Sequence, residues 1–368
     1  MPGVPHYNVD MPEPNAIHVL ITAFGPFGKY EVNPSWLAVK PLHNTVIYAE
    51  VQPQPPPEPS PHHMPPLGPS SRPFPPPPPE PVEPVDDQMH EDPTPIVQQI
   101  HFTTLLIPVS YAAVLAITPG LHARPPVLPF PDDPAFAATH LPPNGFDFIF
   151  HTGCVGRGPL RIEKNAHKLN YRMKDAEGQY APIVQLPKEA PQAEPEQDII
   201  NIGKPLLPPT PAVPGNELGP PGASGLPRGV IDHEEHLAGE RPLVESPEHQ
   251  PTRGMGKAYE SMPDELYTEV DVPRLIHHLK ETGIQRVYSS MDAGHFLGDF
   301  LYYGSLAEAK RNASKQEKDK PRSTSPPKMT PVLFMHCCPL GQPFETVEVT
   351  DAIKKVVLWV CARLSTNT

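Results

Sequence analysis

Apolar residues in this chain fall into short β-branched runs that alternate with stretches of helical spacing. The run "IHVLITAF" (17–24) predicts a buried strand, and "NPSWLAVKPL" (33–42) a short helix with Pro34 in its first turn. "HFTTLLIPVSYAAVLAI" (101–117) reads as a strand followed by the start of a helix, and "FDFIFHTGC" (146–154) as a strand entering a glycine-containing loop. Further on, "DVPRLIHHLKETG" (271–283) is an amphipathic helix closed by a glycine in the C′ position, and "IQRVYSSM" (284–291) is a strand. "DAGHFLGDFLYYGSL" (292–306) predicts a buried helix: Asp292 can cap its start, and Phe296, Leu297, Phe300 and Leu301 recur at helical spacing. Gly298 is out of place there, because glycine costs about 1 kcal/mol against alanine inside a helix. The strand "TPVLFMHCC" (330–338) and the helix "TVEVTDAIKKVVLWVCARL" (346–364) complete the series. Strands alternating with helices imply an α/β fold with a largely parallel central sheet.

Composition changes the domain count. Proline contributes 59 of 368 residues, about three times the ordinary usage of roughly 5%. The prolines cluster in two low-complexity insertions, 52–95 and 184–262, and a charged link occupies 310–328. Such segments favour polyproline II and bury too little apolar area to offset the entropy of ordering. What remains is on the order of 200 residues, the size of one domain, spanning 14–368 with interruptions. The insertions read as additions the fold tolerates; the alternative is a ligand for SH3- or WW-type domains.

Charge and cysteine usage narrow the class. A net charge of −13 and a pI near 5.7 argue against nonspecific binding to nucleic acid or anionic membranes. Four cysteines, Cys154, Cys337, Cys338 and Cys361, do not make a disulfide scaffold. No apolar run is long enough to span a membrane, and the N-terminus lacks the pattern of a signal peptide. The expectation is a reducing, cytoplasmic setting.

Three stretches could carry chemistry. In "TAFGPFGKYEVNPSW" (22–36), Gly25, Pro26 and Gly28 make a tight turn at a strand's C-terminal end, flanked by Phe24 and Phe27. Ligands of α/β sheets bind at such ends, although the glycine spacing is not that of a dinucleotide site. In "HTGCVGRGPLRIEKNAHKLNY" (151–171), Glu163 lies in an apolar-leaning strand, and His336 ends the apolar strand "PVLFMH". Each has a plain structural alternative: an ion-pair partner for the carboxylate, a satisfied core group for the histidine. "HEEH" (233–236) lacks the H-E-x-x-H spacing, and His62-His63 and His277-His278 carry no ligand pattern.

Taken in order, "TAFGPFGKYEVNPSW", "FHTGCVG…RIEKNAH", "SSMDAGHFLGDFLYYGSL" and "FMHCCPLGQPF" resemble the blocks of pyroglutamyl-peptidase I, the C15 cysteine peptidases. The resemblance implies a three-layer α/β/α sandwich and an omega-peptidase that releases N-terminal pyroglutamate from peptides. It implies Phe24 and Phe27 as contacts of the pyroglutamyl ring, with Asn33 fixing that pocket. It makes Glu163 the acid and His336 the base of a catalytic triad, and it implies neither a metal nor an organic cofactor. The nucleophile position of "DAGRYLCDF" falls on Gly298, which supplies no sulfur. Cysteine peptidases attack the carbonyl with a thiolate whose proton passes to histidine, so the acyl-enzyme route is closed at this position. Cys337 lies on the strand face opposite His336, Cys338 on the same face but at the strand exit, and Cys154 in the loop before Glu163. Three functions follow as expectations: an omega-peptidase with impaired activity, an inactive relative that binds pyroglutamyl N-termini, or an interaction scaffold using its Pro-rich segments.

Overall fold

A computed structural model describes residues 12–13, 15–51, 96–138, 140–154, 156–185, 251–319 and 329–365. The chain divides into two compact units, Met1–Gln185 with Thr252–Thr368, and Leu186–Pro251; the elements below belong to the first. The insertion 52–95, most of the insertion 184–262 with its "HEEH", and the end of the charged link lie outside the described residues.

Among the described residues nine strands and five α-helices alternate broadly as expected of an α/β fold. In chain order they are β1 (Ile17–Phe24), α1 (Pro34–Val39), β2 (Val46–Val51), β3 (Ile96–Ile107), α2 (Tyr111–Leu121), β4 (Phe148–Cys154), β5 (Leu160–Glu163) and β6 (Asn165–His167). There follow β7 (Glu265–Tyr267), α3 (Val272–Glu281), β8 (Val287–Ser290), α4 (Leu297–Asp319), β9 (Val332–Cys337) and α5 (Thr346–Ser365). Seven strands form one sheet in the order β2-β3-β1-β4-β9-β5-β8, and β6 pairs with β7 separately. The centre, β3-β1-β4-β9, is parallel throughout. Two pairs of this sheet are antiparallel: β2 on β3 at one edge, and β5 on β9.

Both faces of the sheet are covered, which is why its strands read as near-continuous apolar runs. On one face Ile21, Phe150 and Met335 pack with Val39 of α1, Leu275 of α3 and Ile353 of α5. On the other, Leu20, Ile149 and Phe334 pack with Val114 of α2 and Phe300 of α4. The result is the three-layer α/β/α sandwich expected from the sequence. No helix among the described residues is long and apolar enough to cross a membrane.

Several boundaries differ from the sequence reading. α4 begins at Leu297, so Asp292 does not cap it; the Asp292 carboxylate instead accepts from the Gly294 amide at 2.8 Å. The same helix runs on to Asp319, taking in the first half of the charged link. Its apolar face is already anchored by Phe300, Leu301 and Leu306, so the charged residues simply extend it into solvent. The end of the second insertion also packs: Met255 and Tyr259 are buried, and the Arg253 guanidinium donates to the Ala181 carbonyl at 2.9 Å. Strand β2, too short and too alternating to stand out, was not anticipated.

Candidate functional site

β5 and β9 run antiparallel with Arg161 opposite His336 and Glu163 opposite Phe334. Glu163 and His336 are therefore diagonal neighbours on one face, close enough for long side chains to meet. His336 Nδ1 and Glu163 Oε1 are 2.8 Å apart. The carboxylate is fully buried and the imidazole 7% exposed. With Nδ1–H given to the carboxylate, the tautomer leaves Nε2 as the acceptor, which is the arrangement of a general base held by an acid. Glu163 Oε2 is buried without a hydrogen-bond partner, and a second donor to that oxygen is missing from the described residues.

Gly298 is the second residue of α4, in ordinary helical conformation, so backbone freedom does not explain it. Close approach does. A Cβ built on Gly298 would lie 2.8 Å from Cζ of Phe334, with Cε2 at 3.3 Å. That phenyl ring is fully buried and stands edge-on to the His336 ring, centroids 4.7 Å apart. Gly153 of β4 supports the opposite approach: a Cβ there would lie 3.0 Å from the same Cζ and 3.7 Å from the Phe24 ring. Phe334 thus occupies the space into which a side chain at position 298 would project. Sequence reasoning missed it. The alternation of "PVLFMH" put Phe334 on the face of His336, but nothing along the chain paired it with Gly298.

The other sequence-selected residues are divided between two places. Phe24 is buried beside Phe334, whereas Phe27 lies outward with its ring 5.3 Å from Phe296. Phe27 lines an open cleft of about 390 Å³ with Pro26, Gly28, Tyr30, Glu31, Asp175 and Ala176. Neither Phe24 nor the Glu163–His336 pair borders that cleft. Asn33 is buried as the N-cap of α1: its Oδ1 accepts from the Ser35 amide at 3.1 Å, and its Nδ2 donates to the Gly25 carbonyl at 3.1 Å. It ties the Phe24–Gly28 turn to the helix that follows. Asn33→Ala is expected to cost about 1–2 kcal/mol, measured as a lower denaturant midpoint, because the cap and a buried carbonyl partner go together.

The cysteines do not converge on His336. Cys337 and Cys338 are both buried in the opposite apolar layer, among α1, α3 and α5. The strand ends at Cys337, so alternation does not carry Cys338 back to the His336 face; that expectation is corrected. Cys337 is registered against Cys154 across β4 and β9. The hydrogen bond the Cys337 thiol donates to Cys154, with burial, pushes it well above its usual range, and burial raises Cys338. Raised thiols are poor nucleophiles. Among the described residues, the grouping of donors close enough to share a metal ion is His167 with Asp292 and His295, none of them selected from the sequence as a site residue.

Residues 17–57 match the family model described as pyroglutamyl peptidase. No curated protein sequence matches the chain. Similar solved structures include pyroglutamyl peptidase I from Bacillus amyloliquefaciens, 16% identical, covering 94% of this chain and 95% of that one, TM-score 0.45. The E192Q mutant of pyrrolidone carboxyl peptidase from Pyrococcus furiosus is 13% identical over 95% of this chain and 100% of that one, TM-score 0.44. The pyrrolidone carboxyl peptidase of Fervidobacterium islandicum AW-1 is 16% identical over 94% of this chain and 98% of that one, TM-score 0.43. The matched stretch carries β1, the Phe24–Gly28 turn, Asn33 and α1, and over it the chain is similar to the pyroglutamyl peptidase family.

Proposed function

We propose that this chain binds peptides with an N-terminal pyroglutamate and does not cleave them through an acyl-enzyme. The observation that carries the reading is the Phe334 ring at the nucleophile position: it stands 2.8 Å from where a Cβ on Gly298 would be. A missing sulfur alone could be restored by one substitution. A site whose space has been filled by a packed ring has been rebuilt around the loss. The Glu163–His336 pair, at 2.8 Å, supports descent from a triad, and the aromatic cleft at Phe27 supports retention of an apolar ring contact.

The experiment compares hydrolysis of a fluorogenic pyroglutamyl amide, with and without a thiol alkylator, and calorimetric binding of a pyroglutamyl peptide against its glutaminyl counterpart. The wild type is expected to bind the pyroglutamyl peptide preferentially and to show no alkylator-sensitive turnover. Gly298→Cys alone is expected to stay silent, since Phe334 blocks its side chain. Gly298→Cys combined with Phe334→Val is expected to gain alkylator-sensitive hydrolysis. Alkylator-sensitive turnover by the wild type, or equal affinity for the two peptides, would refute the reading.

A further inference from the structure

β6 and the loop leading into α4 meet beside the fully buried carboxylate of Asp299, in the first turn of that helix. One ligand atom each from His167, Asp292 and His295 lies within 4.8 Å of the other two. The two imidazoles are 4.4 Å apart between centroids. Each is held from behind through Nδ1: His167 by Asp299 Oδ2 at 3.1 Å, His295 by the Leu169 carbonyl at 3.2 Å. Asp299 is itself locked, its Oδ1 accepting from the His167 amide at 3.0 Å. Asp292 is exposed, and its Oδ1 is engaged by the Gly294 amide.

These bonds decide the chemistry of the cluster. An imidazole that gives Nδ1–H to a carboxylate or a backbone carbonyl presents Nε2 as a bare lone pair, and metal-ligating histidines are oriented in this way. Two imidazoles and one carboxylate make the three-ligand set of an open tetrahedral zinc site, the fourth position being left to water. Calcium and magnesium are disfavoured, because they take oxygen ligands. Charge agrees. With both rings neutral, Asp292 and Asp299 bring two negative charges to the cluster, which a divalent cation balances.

We propose that His167, Asp292 and His295 form a site for one divalent transition-metal ion of the zinc class, with Asp299 and the Leu169 carbonyl as its outer shell. The ion clips β6 to the start of α4. This stands independently of the pyroglutamyl reading, since none of these residues belongs to the Glu163–His336 pair or lines the Phe27 cleft.

The test uses the full-length chain, stripped with a chelator and titrated with Co²⁺ for its visible absorption and with Zn²⁺ against a chromophoric competitor. One ion per chain is expected, with a rise in the thermal midpoint on Zn²⁺ addition. Asp299→Asn is expected to weaken binding by about 10- to 100-fold, and His295→Asn and Asp292→Asn by more. His295 has φ +45°, a conformation asparagine tolerates, and Asp292 is exposed, so both variants keep the fold. Absence of a bound equivalent in the wild type would overturn the proposal. So would binding that both variants leave unchanged, as when histidines of the insertions such as His62, His63, His233 and His236 hold the metal.

Discussion

Between pH 7 and pH 5 the protein is expected to lose about 4 kcal/mol of stability from two buried histidines alone. His151 sits on central strand β4, its Nδ1 2.7 Å from Thr22 Oγ1 and its Nε2 buried without a partner. His122 caps the end of α2 and meets Ser305 of α4 at 2.7 Å. Burial holds both rings neutral down to a pKa of about 3. In the unfolded chain both protonate near pH 6.5, so the unfolded state takes up protons first as pH falls. Each depressed group therefore contributes stability that is complete above pH 6.5 and declines below it, by about 2 kcal/mol at pH 5. His101 on β3, lowered to about 4 by burial, acts in the same direction. His167 opposes them. Its hydrogen bond to Asp299 raises its pKa, so its contribution is present at low pH and fades as pH rises through the raised value. One opposing group does not reverse three. Urea midpoints at pH 7, 6 and 5 check this, with His122→Gln expected to flatten the slope. A midpoint that holds steady or rises toward pH 5 would contradict it.

Phe334→Ala is expected to cost about 3–5 kcal/mol, the usual loss for emptying a buried phenyl position. The more informative result is its coupling to Gly298. Gly298→Ala alone is expected to destabilise by about 1–3 kcal/mol, since the new methyl overpacks against a fully buried ring, offsetting any gain in helix propensity. In the double variant the methyl enters space the ring has left. The combined loss should fall short of the sum by at least about 1 kcal/mol. Denaturant unfolding of the three variants measures this directly. Strict additivity would mean that the ring and the glycine are independent, and would remove the packing reason for the glycine.

The fold was legible because its signals are local. β1, β4 and β9 are continuous β-branched or aromatic runs, and burial on both faces needs that composition. α3 carries its own cap, its amphipathic face and its terminal glycine, Gly283 at φ +101°. Reading failed where a neighbour replaced a local signal. Asp292 has the chemistry of a helix cap, yet α4 starts five residues later, and charged residues 310–319 follow an apolar helix already anchored. Strand β2 is held by pairing with β3 rather than by a strong pattern of its own.

At the site, residue identity and residue placement separate. The sequence by itself determined that the chain is α/β, that Gly298 is out of place in a helix interior, and that Glu163 and His336 are chemically suited to pair. These follow from composition, period and residue type, which are written along the chain. Only the tertiary structure decided that the two meet at 2.8 Å, that Phe334 fills the space beside Gly298, that the cysteines turn to the opposite layer, and that His167 converges with His295. Those outcomes depend on strand register and on which face each helix lays against the sheet. They are set by packing between residues far apart along the chain, which no local pattern encodes.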